Sequence, residues 1–180
     1  MKYRNIMSML VLSFIIVSLC ISCAQPQMKS YDMLVGSNYQ NMQSRYREPI
    51  NPQNIAMQIK QEKDIYSKEY LLDAVDVIGK CDKFLNTPKY EMFSVSSEIN
   101  TAFKKLKINH AQYANSVLNK YLSEVITKIS TICDNANYVD AQNSRPGSQK
   151  DYAGAIHKLD EIGILLEEIK PLISGINSGL

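Results

Sequence analysis

Apolar residues recur at intervals of three and four positions over most of the chain beyond residue 50. The most regular run follows one face of a helix for about six turns and consists of Ala114, Leu118, Tyr121, Val125, Ile129, Ile132 and Ala136. No alternation typical of a β-strand persists in the sequence. Because long amphipathic helices bury their apolar stripes against one another, the sequence predicts an all-α fold, an antiparallel bundle of four to five helices.

Residues 51–180 are predicted to form this helical domain. Asn51 and Pro52 are a strong helix start, since the Asn side chain accepts hydrogen bonds from free amides and Pro loses none at the first position. The first helical pattern ends at residues 86–88, NTP, because the residue before a Pro disfavours helix. A weaker part of its apolar stripe allows a break near Ser67.

The next boundaries are less sharply marked. A second helix is expected to begin near Ser94 or Ser96. Asn109 either caps a new helix or lies inside one that continues into the regular apolar run. Residues 137–148, NYVDAQNSRPGS, are predicted to form a loop, because Pro146-Gly147 is typical of a turn.

The last predicted helix begins near Tyr152, after Ser148 and Asp151, whose spacing resembles a weak capping box. Pro171 is expected to bend or break this helix near its end. Gly175 and Gly179 are expected to let the terminus fray. The apolar stripe of this helix consists of Tyr152, Ile156, Leu159, Ile162, Leu166, Ile169 and Ile173.

The first 23 residues have the order of a secretory signal peptide. Lys2 and Arg4 precede a nearly unbroken apolar run, and Ser22 presents a small side chain directly before Cys23. A bacterial lipoprotein is cut just before a cysteine, whose thiol then carries acyl chains. The sequence therefore predicts a signal peptide at residues 1–22 and a lipidation site at Cys23.

Two other interpretations of the leader are weaker. The apolar run is shorter than the roughly 20 residues that a transmembrane helix needs. Cys20 is a poorer acylation site than Cys23, because the bulky Leu19 precedes it. Residues 23–50 are polar and irregular, and they are predicted to be a tether between the acyl chains in the membrane and the domain.

The charge balance argues against a nucleic-acid partner. The whole chain has 20 Lys and Arg and 18 Asp and Glu. Lys2 and Arg4 leave with the leader, which holds no acid, so the mature chain has no net charge. Nucleic-acid binding calls for clustered excess positive charge, and we expect none.

The chain has no motif of catalysis or metal binding. Its two histidines, His110 and His157, stand alone without a second histidine at helical spacing, and zinc requires several closely spaced ligands. There is no nucleophile elbow and no glycine-rich phosphate loop. We therefore expect no enzyme activity, no metal and no cofactor.

Cys81 and Cys133 are the cysteines that remain after Cys20 is removed and Cys23 is acylated. In an exported protein such a pair suggests a disulfide. The bridge would close a loop of about 50 residues and stabilise the fold by roughly 4 kcal/mol. The alternative is two buried thiols that act as small apolar residues.

Five residues are candidates for ligand binding. Lys104, Lys105 and Lys107 place three positive charges within four residues, which predicts contact with an acidic ligand such as a glycosaminoglycan or a plasma protein. The alternative is an ordinary solvated helix face. Tyr138 and Arg145 lie in the predicted loop, and aromatic side chains there suit a protein interface.

The leader, which ends LCISC, resembles those of the outer-surface lipoproteins of Borrelia spirochaetes. Their acylation motif is looser than that of other bacteria and matches Cys20-Ile21-Ser22 before Cys23. The length and helical pattern are similar to those of the small factor H-binding lipoproteins of relapsing-fever Borrelia. The resemblance implies a lipid-anchored protein of the outer membrane and cell surface that captures the host complement regulator factor H.

Other functions remain open at this point. The host ligand could instead be plasminogen or a matrix protein. A second class of function is a periplasm-facing structural or assembly lipoprotein, whose bundle pairs with another cell-envelope protein through an exposed apolar stripe.

Overall fold

The structure is a computed structural model, and it describes residues 49–180. Within that range five α-helices follow one another: α1 (Pro52–Glu62), α2 (Lys68–Leu85), α3 (Met92–Asn109), α4 (Val117–Asn143) and α5 (Tyr152–Gly179). The described residues contain no strand, so the predicted all-α bundle is confirmed. The predicted signal peptide, the lipidation site Cys23 and nearly all of the tether lie outside the described residues and stay predictions.

The four long helices, α2 to α5, pack side by side in alternating directions around one core. The short α1 runs parallel to the end of α5, because Ile55 contacts Gly175 and Ile59 contacts Gly179 in the same order. We call the end of the bundle that carries the α3–α4 connection the His110 end. The opposite end, which carries the α4–α5 connection, is the Arg145 end.

The core consists of the apolar faces that the periodicity predicted. Its largest fully buried side chains are Tyr70, Phe84, Ile59, Ile78, Ile99, Leu106, Leu118, Leu122, Ile129, Ile132, Ile169 and Leu172. The regular run of α4 is buried at Leu118, Val125, Ile129, Ile132 and Ala136. Tyr121 is half-buried, and Ala114 is exposed because it precedes the helix.

Capping side chains set the helix starts. The Asn51 carboxamide accepts hydrogen bonds from the amides of Gln53 and Asn54 at 2.9 and 3.3 Å, as the sequence predicts. Ser67 caps α2, which confirms the break near that residue. Ser116 caps α4 in the same way.

Helix α3 begins at Met92, earlier than the predicted start near Ser94 or Ser96. Ser96 is buried inside the helix, so it does not cap it. Asn109 is the last residue of α3, and a short 3-10 turn, Ala111–Tyr113, separates it from α4.

The predicted loop at residues 137–148 is largely wrong, because α4 continues to Asn143. Val139 and Gln142 are buried, so the two additional turns pack against the bundle. The Gln142 side-chain carbonyl also accepts a hydrogen bond from the Asp151 amide at 3.1 Å, which joins the end of α4 to the start of α5. The capping residue of α5 is Asp151 itself, not Ser148.

Helix α5 neither breaks at Pro171 nor frays at its glycines; it continues to Gly179. A Cβ atom on Gly175 would lie 2.8 Å from Ile55 Cβ and 2.9 Å from the Pro52 carbonyl oxygen. A Cβ atom on Gly179 would lie 2.8 Å from Ile59 Cβ. Both glycines are buried, so they let α1 and α5 approach closely and hold the end of α5 in place.

The structure does not contain the predicted disulfide: Cys81 and Cys133 are both free and buried. Cys81 lies in the core on α2, where burial raises the pKa of its thiol to about 12. Burial also raises the pKa of the Cys133 thiol, opposed by a hydrogen bond with Ser96 of α3. The structure therefore corresponds to the alternative of two buried thiols that act as small apolar residues.

Candidate functional site

The five predicted binding residues do not form one surface. Lys104, Lys105 and Lys107 lie in the last turns of α3 at the His110 end. Tyr138 lies in α4, about 30 Å along the helix axis from its first residue, and Arg145 follows the end of α4. The single surface expected from sequence is therefore two surfaces, one at each end of the bundle.

All three lysines of α3 are exposed. Among the described residues none of them forms an ion pair. Lys107 Nζ lies 5.4 Å from the centroid of the Phe103 ring, a distance typical of a cation–π contact. Positive charge near a helix C-terminus also complements the helix dipole, so these lysines stabilise α3 as well as presenting charge.

An open groove of about 370 Å³ separates α2 from α3 beside Lys105. Three carboxylates, those of Asp73, Asp76 and Glu98, line it together with Lys80 and Lys105. Lys80 pairs with Asp76. The groove thus carries both signs of charge.

At the Arg145 end, the hydroxyl of Tyr138 belongs to the fold rather than to a free surface. It donates to the Asp151 carboxylate at 2.6 Å. This hydrogen bond, with that from the Gly154 amide, lowers the pKa of Asp151. Arg145 is exposed, and its Nη1 lies 3.4 Å from the Gln142 side-chain oxygen. Of the two predicted residues at this end, Arg145 alone presents its polar group to solvent.

The first turns of α5 expose part of the apolar stripe that the sequence predicts. Tyr152 is 55% exposed and Ile156 is 37% exposed. Helix α1 packs on the last turns of α5 at Gly175 and Gly179, and the buried residues of α5 begin only at Ile169. The start of α5 therefore lacks the neighbours that cover its later turns. We call Tyr152 and Ile156 the α5 stripe.

A cluster of three tyrosines and a histidine lies at the His110 end, where sequence analysis predicted no special site. The ring centroids of Tyr70 and Tyr113 are 4.5 Å apart, those of Tyr66 and Tyr113 are 5.6 Å apart, and those of Tyr70 and His110 are 5.5 Å apart. The His110 Nε2 atom lies 3.0 Å from an Asp73 carboxylate oxygen. Tyr66 and Tyr70 are four residues apart on the chain, but nothing local indicates that Tyr113 joins them.

The polar groups of this cluster connect the helix ends. The Tyr113 hydroxyl accepts from the Ser67 amide at 3.0 Å, and the Tyr70 hydroxyl lies 3.1 Å from Ser116 Oγ. Burial raises the pKa of Tyr70. These hydroxyls hydrogen-bond to the residues that cap α2 and α4, and His110 follows the last residue of α3. The cluster therefore holds α2, α3 and α4 together.

The Glu62 carboxylate adds two hydrogen bonds beside this cluster. It accepts hydrogen bonds from the Val117 amide at 2.9 Å and from the Tyr66 hydroxyl. Burial, together with this contact to Glu62, raises the pKa of Tyr66. A negative charge at the first amide of α4 also complements the positive end of the helix dipole.

A second open groove, of about 550 Å³, lies between α1 and α5. Its lining consists of Pro52, Gln53, Ala56, Met57, Lys60, Gln61, Ser174 and Ser178. Among the described residues, no group of three or more His, Cys, Asp or Glu side chains could hold a metal ion. In the same part of the chain, no helix has the length and apolar character to cross a bilayer.

Comparisons with protein-family models, with curated proteins and with solved structures found no match to this chain.

Proposed function

We propose that this chain is a lipid-anchored protein of the bacterial outer membrane, displayed on the cell surface, that binds a host plasma protein. The proposed ligand is the complement regulator factor H, with plasminogen and matrix proteins as alternatives. The anchor rests on the leader and Cys23, and the ligand class rests on the resemblance of that leader. The observation that supports protein binding is the α5 stripe beside Arg145.

The chemistry of the Arg145 end suits a protein partner. Tyr and Arg are enriched among residues that dominate binding energy at protein interfaces. Tyr152 and Ile156 offer apolar area, and Arg145 offers a guanidinium without an ion pair among the described residues. Fully burying an apolar side chain of this size stabilises a complex by about 1.5–3 kcal/mol, and the exposed parts of Tyr152 and Ile156 supply a fraction of that each.

Binding is tested with the mature chain, beginning at Cys23 with that residue changed to Ser to keep the protein soluble. The immobilised protein is exposed to plasma and then to purified factor H, plasminogen and fibronectin. The double variant Tyr152→Ala/Ile156→Ala is expected to bind its ligand at least about tenfold more weakly. Saturable binding to none of these proteins would refute the proposal.

A matched control exists on α2. Leu72 and Val75 are 60% and 50% exposed, also on a helix surface. The variant Leu72→Ala/Val75→Ala removes a similar apolar area away from the Arg145 end and is expected to leave binding unchanged. Equal weakening by both double variants would show that the α5 stripe is not the contact.

The same stripe also supports the second function, an assembly lipoprotein that faces the periplasm. In that case the α5 stripe would pack against another cell-envelope protein. Protease treatment of intact cells separates the two proposals: digestion together with known surface proteins supports display on the surface, and survival supports the periplasm. A Cys23→Ser variant that still fractionates with membranes would refute the anchor in both.

A further inference from the structure

We infer that the corner of the bundle where α3 ends and α4 begins binds a sulfated polysaccharide. We call this surface the basic corner and define it by Lys104, Lys105, Lys107 and Lys120. It lies at the end of the molecule opposite the α5 stripe, and its binding is independent of the protein partner proposed above.

The segment that forms the basic corner has only basic residues among its charged residues, although the predicted mature chain has no net charge. Between Glu98 and Glu124 the sequence contains no acidic residue, while it contains four lysines and His110. The structure folds this segment into the end of α3, a 3-10 turn and the start of α4. All four lysines are exposed, and none forms an ion pair with a described residue.

Two of the carboxylates that other helices bring to this end are hydrogen-bonded within the fold, while those of Asp64 and Glu69 are exposed at the α1–α2 connection. The Glu62 carboxylate of α1 accepts hydrogen bonds from the Val117 amide and Tyr66. The Asp73 carboxylate of α2 lies 3.0 Å from His110 Nε2. The acids of the α2–α3 groove border Lys105 alone among the four lysines. None of these carboxylates forms an ion pair with the four lysines, so the ammonium groups of the corner are exposed and available to an anion.

The remaining side chains of the corner favour a polysaccharide over an acidic protein. Exposed carboxamides of Asn109, Gln112 and Asn115 lie between the lysines along the chain. Carboxamides donate and accept hydrogen bonds, which suits the hydroxyl groups of a sugar chain. An acidic protein partner would use an aromatic anchor, and the tyrosine of this segment, Tyr113, is packed into the tyrosine cluster. Ile108 is the one large exposed apolar side chain of the segment.

The spacing of the charges also suits a linear polyanion. Side chains three and four positions apart on a helix have Cβ atoms about 5–6 Å apart, so Lys104 and Lys107 are neighbours on α3. Lys120 lies one turn into α4, beyond the 3-10 turn that joins α3 to α4. A repeating sulfated chain can contact several of these charges at once, with an affinity that falls as salt screens them.

The test uses the mature chain and heparin as the probe, measured by calorimetry at two salt concentrations. The triple variant Lys104→Gln/Lys105→Gln/Lys107→Gln keeps good helix formers at all three positions. It is expected to bind heparin about tenfold more weakly, or worse, and to show a smaller salt dependence. A matched variant, Lys83→Gln/Lys89→Gln/Lys150→Gln, changes the net charge equally at or near the Arg145 end and should bind like the unmodified protein.

Three results would overturn the inference. The first is no binding of heparin by the unmodified chain at low salt. The second is equal weakening by the two triple variants, which would show that only net charge matters. The third is binding of polyglutamate as tight as that of heparin, which would show that the sugar contributes nothing. Retained heparin binding in Tyr152→Ala/Ile156→Ala would confirm that the two surfaces act separately.

Discussion

Replacing Gly175 with Ala is a direct test of how α1 is held on the bundle. The added Cβ atom would lie 2.8 Å from Ile55 Cβ and 2.9 Å from the Pro52 carbonyl oxygen. Carbon atoms in favourable contact are about 3.5–4.0 Å apart, so α1 would have to move by roughly 1 Å. The Pro52 oxygen belongs to the backbone, and a change of side-chain rotamer cannot relieve that contact.

The expected effect is the difference of two contributions. Overpacking a close contact costs about 1–3 kcal/mol. Ala is a better helix former than Gly by about 0.8–1 kcal/mol. If overpacking costs about 2–3 kcal/mol, the free energy of unfolding should fall by about 1–2 kcal/mol once the gain in helix propensity is subtracted. For a chain of this length each kcal/mol corresponds to about 2–4 °C in Tm.

Gly79 provides the matched control within the same protein. It lies in α2, it is exposed, and a Cβ atom there would meet nothing within 4 Å. Gly79→Ala should therefore stabilise the protein by about 0.8–1 kcal/mol. Urea denaturation followed by far-UV circular dichroism measures both variants. If Gly175→Ala stabilised the protein as much as Gly79→Ala does, the close approach of α1 and α5 would be refuted.

Three further predictions concern side chains described above. In the mature chain with Cys23 changed to Ser, Cys81 and Cys133 should react with Ellman's reagent as two thiols after denaturation and scarcely before it; a denatured chain of this kind with no reactive thiol would instead reveal a disulfide. Glu62→Ala should lower the free energy of unfolding by about 1–3 kcal/mol, because it leaves the Val117 amide without its acceptor; in urea denaturation it should lose far more than Ala at the exposed Glu69. Tyr138→Phe should raise the pKa of Asp151, measured by NMR titration, because the hydroxyl that holds it low is gone. The stability linked to that lowered pKa is present above the unfolded-state value of about 3.9 and is lost as the pH falls through the folded value, so an unchanged acid limb of the stability curve in Tyr138→Phe would contradict the assignment.

The fold class, the start of α1 and the break near Ser67 could be predicted because they depend on local signals. The periodicity of α4 and the Asn51 cap act within a few positions, and the structure confirms them. The start of α3 was predicted too late. The ends of α4 and α5 depend on distant partners instead. Helix α4 extends through Gln142 because the Gln142 side chain accepts a hydrogen bond from the Asp151 amide. Helix α5 continues through Gly175 because Ile55 of α1 packs against it. Such contacts have no signature in the local sequence.

The candidate site was predictable only in part for the same reason. The sequence pattern identified Lys104 and Arg145 as candidate charged residues, and both are exposed. Their separation follows from the antiparallel topology, which puts the end of α3 and the end of α4 at opposite ends of the bundle. Tyr152 is exposed at the start of α5, whereas α1 packs on the end of that helix. Periodicity identifies an apolar face but not which of its turns a neighbour covers.

The contact between α1 and the end of α5 has a consequence for the order of folding. Lys63 donates a hydrogen bond to the Leu180 carbonyl, a residue 117 positions away. Closing so long a segment lowers the chain entropy before any contact forms, whereas α4 and α5 are joined by a short connection. We expect the α4–α5 hairpin to assemble early and α1 to dock last. The amide hydrogens of α1 should then exchange with solvent through local undocking, faster than those of the buried turns of α4.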